Sequence, residues 1–233
     1  MKYLSIDTST RHSVVALCDE KRFIAGASRQ FDKGRTESVD KLILSCLKKG
    51  NMRLGQIDCF GVGVGPGSFT GLRIGLSTMK GFSYAFNKPC LVFSSLDAIA
   101  FNADPLRNKK VCVVVDARRG NVYSRFYEAD LVYFRRTSKN LLVSFDEWKK
   151  RLAAKTNENL NFCGDGLKLY QKDLKDGAKG FKFLKEAFWY PTPESLARLT
   201  QQTARTEKPM DSFQVTPVYL YEKDCQVHRT LKR

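Results

Sequence analysis

Histidine is nearly missing from this chain: His12 and His228 are the only two in 233 residues. They lie far apart in sequence, so no pair at helical spacing offers itself to a metal. Neither is placed to serve a serine nucleophile, and no G-x-S-x-G elbow occurs. The dinucleotide pattern G-x-G-x-x-G is absent too, because Gly63-Val64-Gly65 is followed by Pro66 and Gly67. No Gly-Lys-Ser/Thr follows these glycines, which excludes a P-loop. Hydrolase chemistry and the two common nucleotide motifs are thus unsupported.

Other absences narrow the setting. The seven cysteines are odd in number and form no C-x-x-C pair. Cys18, Cys59, Cys90 and Cys112 fall in or beside apolar strands, where a free thiol behaves as a small core residue. That usage predicts a reducing compartment, the cytoplasm. No apolar run approaches the ~20 residues a spanning helix needs, and MKYLSIDTST turns polar too early for a signal peptide. Acid is also in short supply: 40 Lys and Arg face 24 Asp and Glu, a net charge of +16. The excess is spread over both halves, and a folded surface of that sign attracts polyanions in a salt-dependent way.

What the chain has in abundance is glycine, concentrated in one place. Residues 61–75, GVGVGPGSFTGLRIG, hold six glycines and a proline directly after an apolar run and before a helical pattern. Glycine loses the most conformational freedom on folding, so such a cluster needs a local reason. Gly65-Pro66-Gly67 signals a turn, and Ser68 or Thr70 can cap the following helix. A strand, a glycine turn and a helix N-terminus together can hold an anion. Glycines four apart within a helix equally suggest a second helix packed close, and both readings stand at this point.

The chain runs through one series of elements twice. Strands are expected at Tyr3–Asp7, Ser13–Cys18 and Phe23–Arg29, then a first helix carrying Val39, Leu42, Ile43, Cys46 and Leu47 on one face. A strand over Ile57–Val64, a glycine helix over Thr70–Phe86, the strand Cys90–Phe93 and a helix over Leu96–Phe101 complete the half. The second half repeats with strands at Val111–Asp116, Val122–Tyr127 and Leu131–Phe134, and a helix over Phe145–Ala153. The strand Leu160–Cys163, a Gly-Asp-Gly turn and the helix Leu167–Leu174 follow. This is a duplicated βββαβα pattern in an α/β chain, with two domains expected at 1–108 and 109–233.

GVGVGPGSFTGLRIG resembles the signature of the TsaB (YeaZ) family, which takes part in making threonylcarbamoyladenosine in tRNA. KYLSIDTSTRHSVVAL, VVVDARRGNVYSRFY, the GDG turn at Gly164–Gly166 and PVYLYEKD are similar to the same family, so the resemblance spans nearly the whole chain. It implies two ribonuclease H-like subdomains of the actin-like ATPase architecture. It also implies a non-catalytic scaffold that binds and activates TsaD, with the ATPase subunit TsaE joining the complex and tRNA as substrate. Where a histidine often precedes the first helix in this family, Arg35 stands here, which weakens any metal or acid–base role there.

By resemblance, the first two helices form the dimer face, carried by Val39, Leu42, Ile43, Cys46, Gly71, Leu72, Gly75, Leu76, Met79 and Phe82. A homodimer is expected where TsaD is lacking, since one face can serve both. In active members of the superfamily a nucleotide lies between the halves. Asp7, Thr8, Gly65, Gly67 and Asp116 would be its vestige here. An actin-like ATPase or small-molecule kinase is the alternative reading. No cofactor of the chain's own and no metal site are expected; ATP or ADP and Mg would enter at the level of the complex. Direct contact of the basic surface with tRNA is a further expectation.

Overall fold

A computed structural model describes residues 1–30, 39–130, 133–153, 155, 158–175 and 180–221. The first half builds a mixed sheet of β1 (Lys2–Asp7), β2 (His12–Asp19), β3 (Phe23–Gln30), β4 (Cys59–Gly63) and β5 (Cys90–Phe93), in the order β3-β2-β1-β4-β5. β1 pairs antiparallel with β2 and parallel with β4. It is buried from Tyr3 to Asp7, as expected of a central strand covered on both faces. α1 (Val39–Lys49) and α2 (Phe69–Phe86) cover one face, packing Ile43, Leu47, Leu76 and Met79 against Leu4, Ile6 and Phe60. α3 (Ser95–Ala100) stands on the side toward the second half.

The second half repeats the plan. β6 (Lys110–Arg118), β7 (Asn121–Asp130), β8 (Tyr133–Arg136), β10 (Leu160–Cys163) and β11 (Lys182–Phe183) form a sheet ordered β11-β10-β6-β7-β8, and β9 (Leu141–Ser144) adds to β7. α4 (Phe145–Ala153) and α5 (Leu167–Lys175) follow in the places that α1 and α2 hold in the first half. The fold is α/β with two mixed sheets in the ribonuclease H-like connectivity.

In the C-terminal part the third strand is described at Tyr133–Arg136, and residues 131 and 132 of the expected Leu131–Phe134 lie outside the described residues. More important, α6 (Pro193–Thr206) was not foreseen, although Thr192 caps it, Pro193 occupies its first turn and its buried stripe is Leu196, Leu199, Thr200 and Thr203. This helix returns to the first sheet. Thr200 Oγ1 donates to Ser5 Oγ at 2.7 Å, and Gln201 Nε2 donates to the Asp19 carbonyl at 2.8 Å. One core therefore joins Tyr3, Val14 and Cys18 to Val111–Val115 and Leu196. A cut between residues 108 and 109 would part α6 from the sheet it covers.

Candidate functional site

The six described cysteines are free and buried. Burial pushes the thiols of Cys18, Cys59 and Cys112 up to about 12, so none is a nucleophile near neutral pH.

The glycine segment has a structural cause that neither sequence reading named. A Cβ on Gly71 would run into the Thr8 carbonyl, one on Gly75 into the Thr8 hydroxyl, and one on Gly67 into Ser9. The glycines let α2 press against the β1–β2 turn of its own chain, not against a second helix. The turn answers with hydrogen bonds: Thr8 Oγ1 donates to the Gly71 carbonyl at 2.6 Å, and Ser68 N–H donates to the Ser9 carbonyl at 2.7 Å. Ser68 Oγ caps the helix by accepting from Gly71 N–H. Of the amides at this helix start, those of Ser68 and Gly71 are therefore already engaged.

Asp7 is fully buried within this junction. Its Oδ1 accepts from Ser9 N–H at 2.9 Å and from Ser9 Oγ at 2.6 Å, while Oδ2 lies over Gly63 beside Ser95 without a hydrogen bond of its own. Burial raises its carboxyl above the usual 3.8, against the pull of Ser9 and Ser95. The native state thus binds more protons than the unfolded chain between 3.8 and that raised value. Stability falls as pH rises through the window, and the cost is fully present above it. Asn at this position keeps the Oδ1 acceptor and gives Ser95 a donor. Asp7→Asn is therefore expected to leave the urea midpoint at pH 7 unchanged or higher, and to flatten its rise on acidification. A midpoint lowered at pH 7 would show the charge to be needed.

A cleft of about 780 Å³ separates the halves. Of the five residues expected at a vestigial nucleotide site, the structure brings Gly67 and Asp116 to this cleft, whereas Asp7, Thr8 and Gly65 are turned into the first half. Asp116 is held by Arg118, whose Nη1 lies 2.9 Å away, and by the Arg118 N–H at 2.8 Å. Asp165, the other carboxylate on the cleft, accepts from Asp116 N–H at 3.1 Å, and burial raises its carboxyl. Among the described residues no three His, Cys, Asp or Glu gather to hold a metal. Asp7 is thus turned away from the cleft, and each cleft carboxylate already has a partner within the chain.

The C-terminal motif takes an unforeseen place here. Val218 N–H donates to the Val64 carbonyl at 2.8 Å. Tyr219 packs 5.0 Å from Phe69 and accepts from Arg73, and Tyr221 Oη donates to the Ala117 carbonyl at 2.8 Å. Residues 215–221 thereby run across the cleft mouth, fastened to both halves. His12 opens β2 and stacks on Tyr190 at 4.1 Å, with burial lowering its pKa. Arg35 and His228 lie outside the described residues.

Most residues expected at the dimer face are turned inward. Val39, Ile43, Cys46, Leu72, Leu76 and Met79 are buried in this chain's own core, with Leu42 and Phe82 packed beside them. Gly71 and Gly75 face Thr8. The stripe covers its own sheet, the common duty of an amphipathic helix. What α2 turns outward is a different row, the exposed Ile74, Ser77, Gly81, Tyr84 and Ala85 with the half-buried Thr78, flanked by the exposed Thr70, Arg73 and Phe86. Tyr84 is 73% exposed and meets the 72% exposed Phe213 edge-on at 5.8 Å. Ser77 and Thr78 donate to the Ile74 carbonyl, so their hydroxyls need no outside partner.

Four likenesses to known proteins bear on this arrangement. The family model described as TsaD, tRNA N6-adenosine threonylcarbamoyltransferase, matches residues 29–225. The tRNA threonylcarbamoyladenosine biosynthesis protein TsaB of Bacillus subtilis is 28% identical over 222 residues, 94% of each chain. That of Buchnera aphidicola is 24% identical over 195 residues, 83% of this chain and 90% of its own. In fold, YeaZ from Pseudomonas aeruginosa superposes with a TM-score of 0.77 at 24% identity, over 94% of this chain and 99% of that one.

Proposed function

The chain belongs to the TsaB (YeaZ) family of threonylcarbamoyladenosine biosynthesis, and on that premise we propose that it is the non-catalytic scaffold subunit that binds and activates TsaD. The observation that carries this reading is the outward row of α2, made of small side chains with Ile74 and Tyr84, on a chain whose cleft carboxylates already have partners. Small residues let two helices approach closely, and an exposed aromatic side chain is a common anchor of binding; Gly81 and Ala85 supply the first and Tyr84 the second. A stable contact of this kind buries more than ~1,000 Å² in total.

Activation then means that the scaffold binds the competent conformation of TsaD more tightly than the others. TsaE joins at the complex, and ATP or ADP and Mg enter there rather than in this chain. A homodimer through the same row forms where TsaD is lacking. The division into units 1–108 and 109–233 belongs to the same reading, with the docking helix on the first.

Isothermal titration tests it. The purified chain is expected to give no heat with Mg-ATP and tight one-to-one binding with the TsaD of its own organism. Nucleotide binding by the chain alone, weakened by Asp7→Ala, would overturn the reading in favour of an enzyme.

A further inference from the structure

α4 and α5 hold in the second half the places that α1 and α2 hold in the first, but their outer surface has the opposite chemistry. Both helices bury one side: Trp148 and Leu152 from α4, Leu167 and Leu174 from α5. They are joined by the stacked rings of Phe145 and Tyr170 at 3.8 Å, and α5 is joined to β11 by Lys175 lying 6.0 Å over the Phe183 ring. The two helices and the edge strand thus form one continuous layer.

The outward side of the two helices carries Lys149, Lys150, Lys172 and Lys175, all exposed, and the exposed Lys182 and Lys185 follow on the edge strand and just beyond it. None of the six makes an ion pair among the described residues. The nearby acids are largely consumed by other partners: Glu147 by Arg151 at 2.6 Å, Glu186 by Lys168 at 3.1 Å, and Glu158 by Lys110 and Lys155. Asp146 and Asp173 are the exposed carboxylates left on the two helices. Apart from the Lys175 contact with the Phe183 ring, this positive charge has no partner among the described residues, and the face carries a surplus of it.

We propose that the α4–α5–β11 face is a binding surface for the phosphate backbone of RNA, which the chain uses to hold tRNA while the α2 row holds the partner protein. The inference rests on the scaffold reading for its choice of polyanion. Lysine supplies point charges that position a backbone without reading bases, as a scaffold beside a separate active site requires. A membrane surface fits less well, because an interfacial helix needs large apolar residues to insert and Leu169 is the single large exposed one on these two helices.

The test is a salt series of binding isotherms between the full chain and an unmodified tRNA transcript, without TsaD. Log affinity falls with log salt by roughly 0.7–0.9 per phosphate neutralised. Joint replacement Lys149→Gln, Lys150→Gln, Lys172→Gln and Lys175→Gln is therefore expected to make the slope shallower by about 3 and to weaken binding about a hundredfold at ~0.1 M salt. An equal change of charge elsewhere, at Lys21, Lys109, Lys139 and Lys208, is expected to alter the affinity far less. Equal losses in the two variants, no loss in the first, or binding to anionic phosphatidylserine vesicles but not to tRNA would each overturn the proposal. Titration of the first variant with TsaD keeps the two readings separable: unchanged protein affinity with unchanged RNA affinity sinks the RNA face alone, whereas failure of the wild-type chain to bind TsaD sinks the scaffold.

Discussion

Asp97→Ala is expected to remove about 3–5 kcal/mol of stability, the usual result of taking one partner from a buried ionic cluster. Asp97 sits on α3, 1% exposed, and is the acceptor on which the two halves converge. Tyr127 Oη donates to its Oδ1 at 2.7 Å and Arg125 Nη1 at 3.3 Å, while Arg136 donates to Oδ2 from Nε at 2.9 Å and Nη2 at 2.6 Å. Alanine leaves the Tyr127 hydroxyl and the 13% exposed Arg125 guanidinium without their anion. Arg136 is 41% exposed and keeps Glu207 at 3.7 Å, so water screens most of its share. With a urea dependence of about 1–3 kcal/mol per molar, the midpoint should fall by more than ~1 M. The comparison is Glu128→Ala, which breaks half-exposed pairs with Lys110 and Arg135 and should cost below ~1 kcal/mol. Equal midpoints for the two variants would mean that the buried cluster does not join the halves.

Gly81→Arg is expected to separate folding from docking. A Cβ at Gly81 meets nothing within 4 Å, so the substitution adds helix propensity and raises stability by up to about 1 kcal/mol. Yet it places a long charged side chain in the middle of the outward α2 row, between Ile74 and Tyr84. If that row meets TsaD, affinity should drop by about a hundredfold or more, the loss expected for an unpaired charge at the centre of an interface. Titration calorimetry and a urea curve on the same protein decide it. A more stable variant that still binds TsaD with wild-type affinity would move the docking face elsewhere on the molecule.

The contrast between Gly81 and its neighbours shows why the outward row of α2 was not legible in sequence. Gly71, Gly75 and Gly81 look alike along the chain, each a glycine in a helical pattern. Only the packing separates them: two press against Thr8, and the third faces open space. The same holds for the apolar stripe of Leu72, Leu76 and Met79, whose periodicity marks an amphipathic face without saying whether a sheet or a partner covers it. Asp7 ends its strand as expected, but the direction of its carboxylate depends on Gly63 and Ser95, which arrive from β4 and α3.

Local chemistry, then, determined the duplicated strands and helices, because periodicity, caps and turn residues act over a few neighbours. It determined the family likewise, since the glycine segment is a long and particular string. Whatever depends on contacts between residues far apart in the chain was decided by the tertiary structure. The return of α6 to the first sheet joins residues 195 positions apart, Ser5 and Thr200. The convergence of Arg125, Tyr127 and Arg136 on Asp97, and the strap of Tyr219 and Tyr221 across the cleft, are of the same kind. No local pattern encodes such meetings. They follow from which surfaces remain to be buried once each half has formed its sheet.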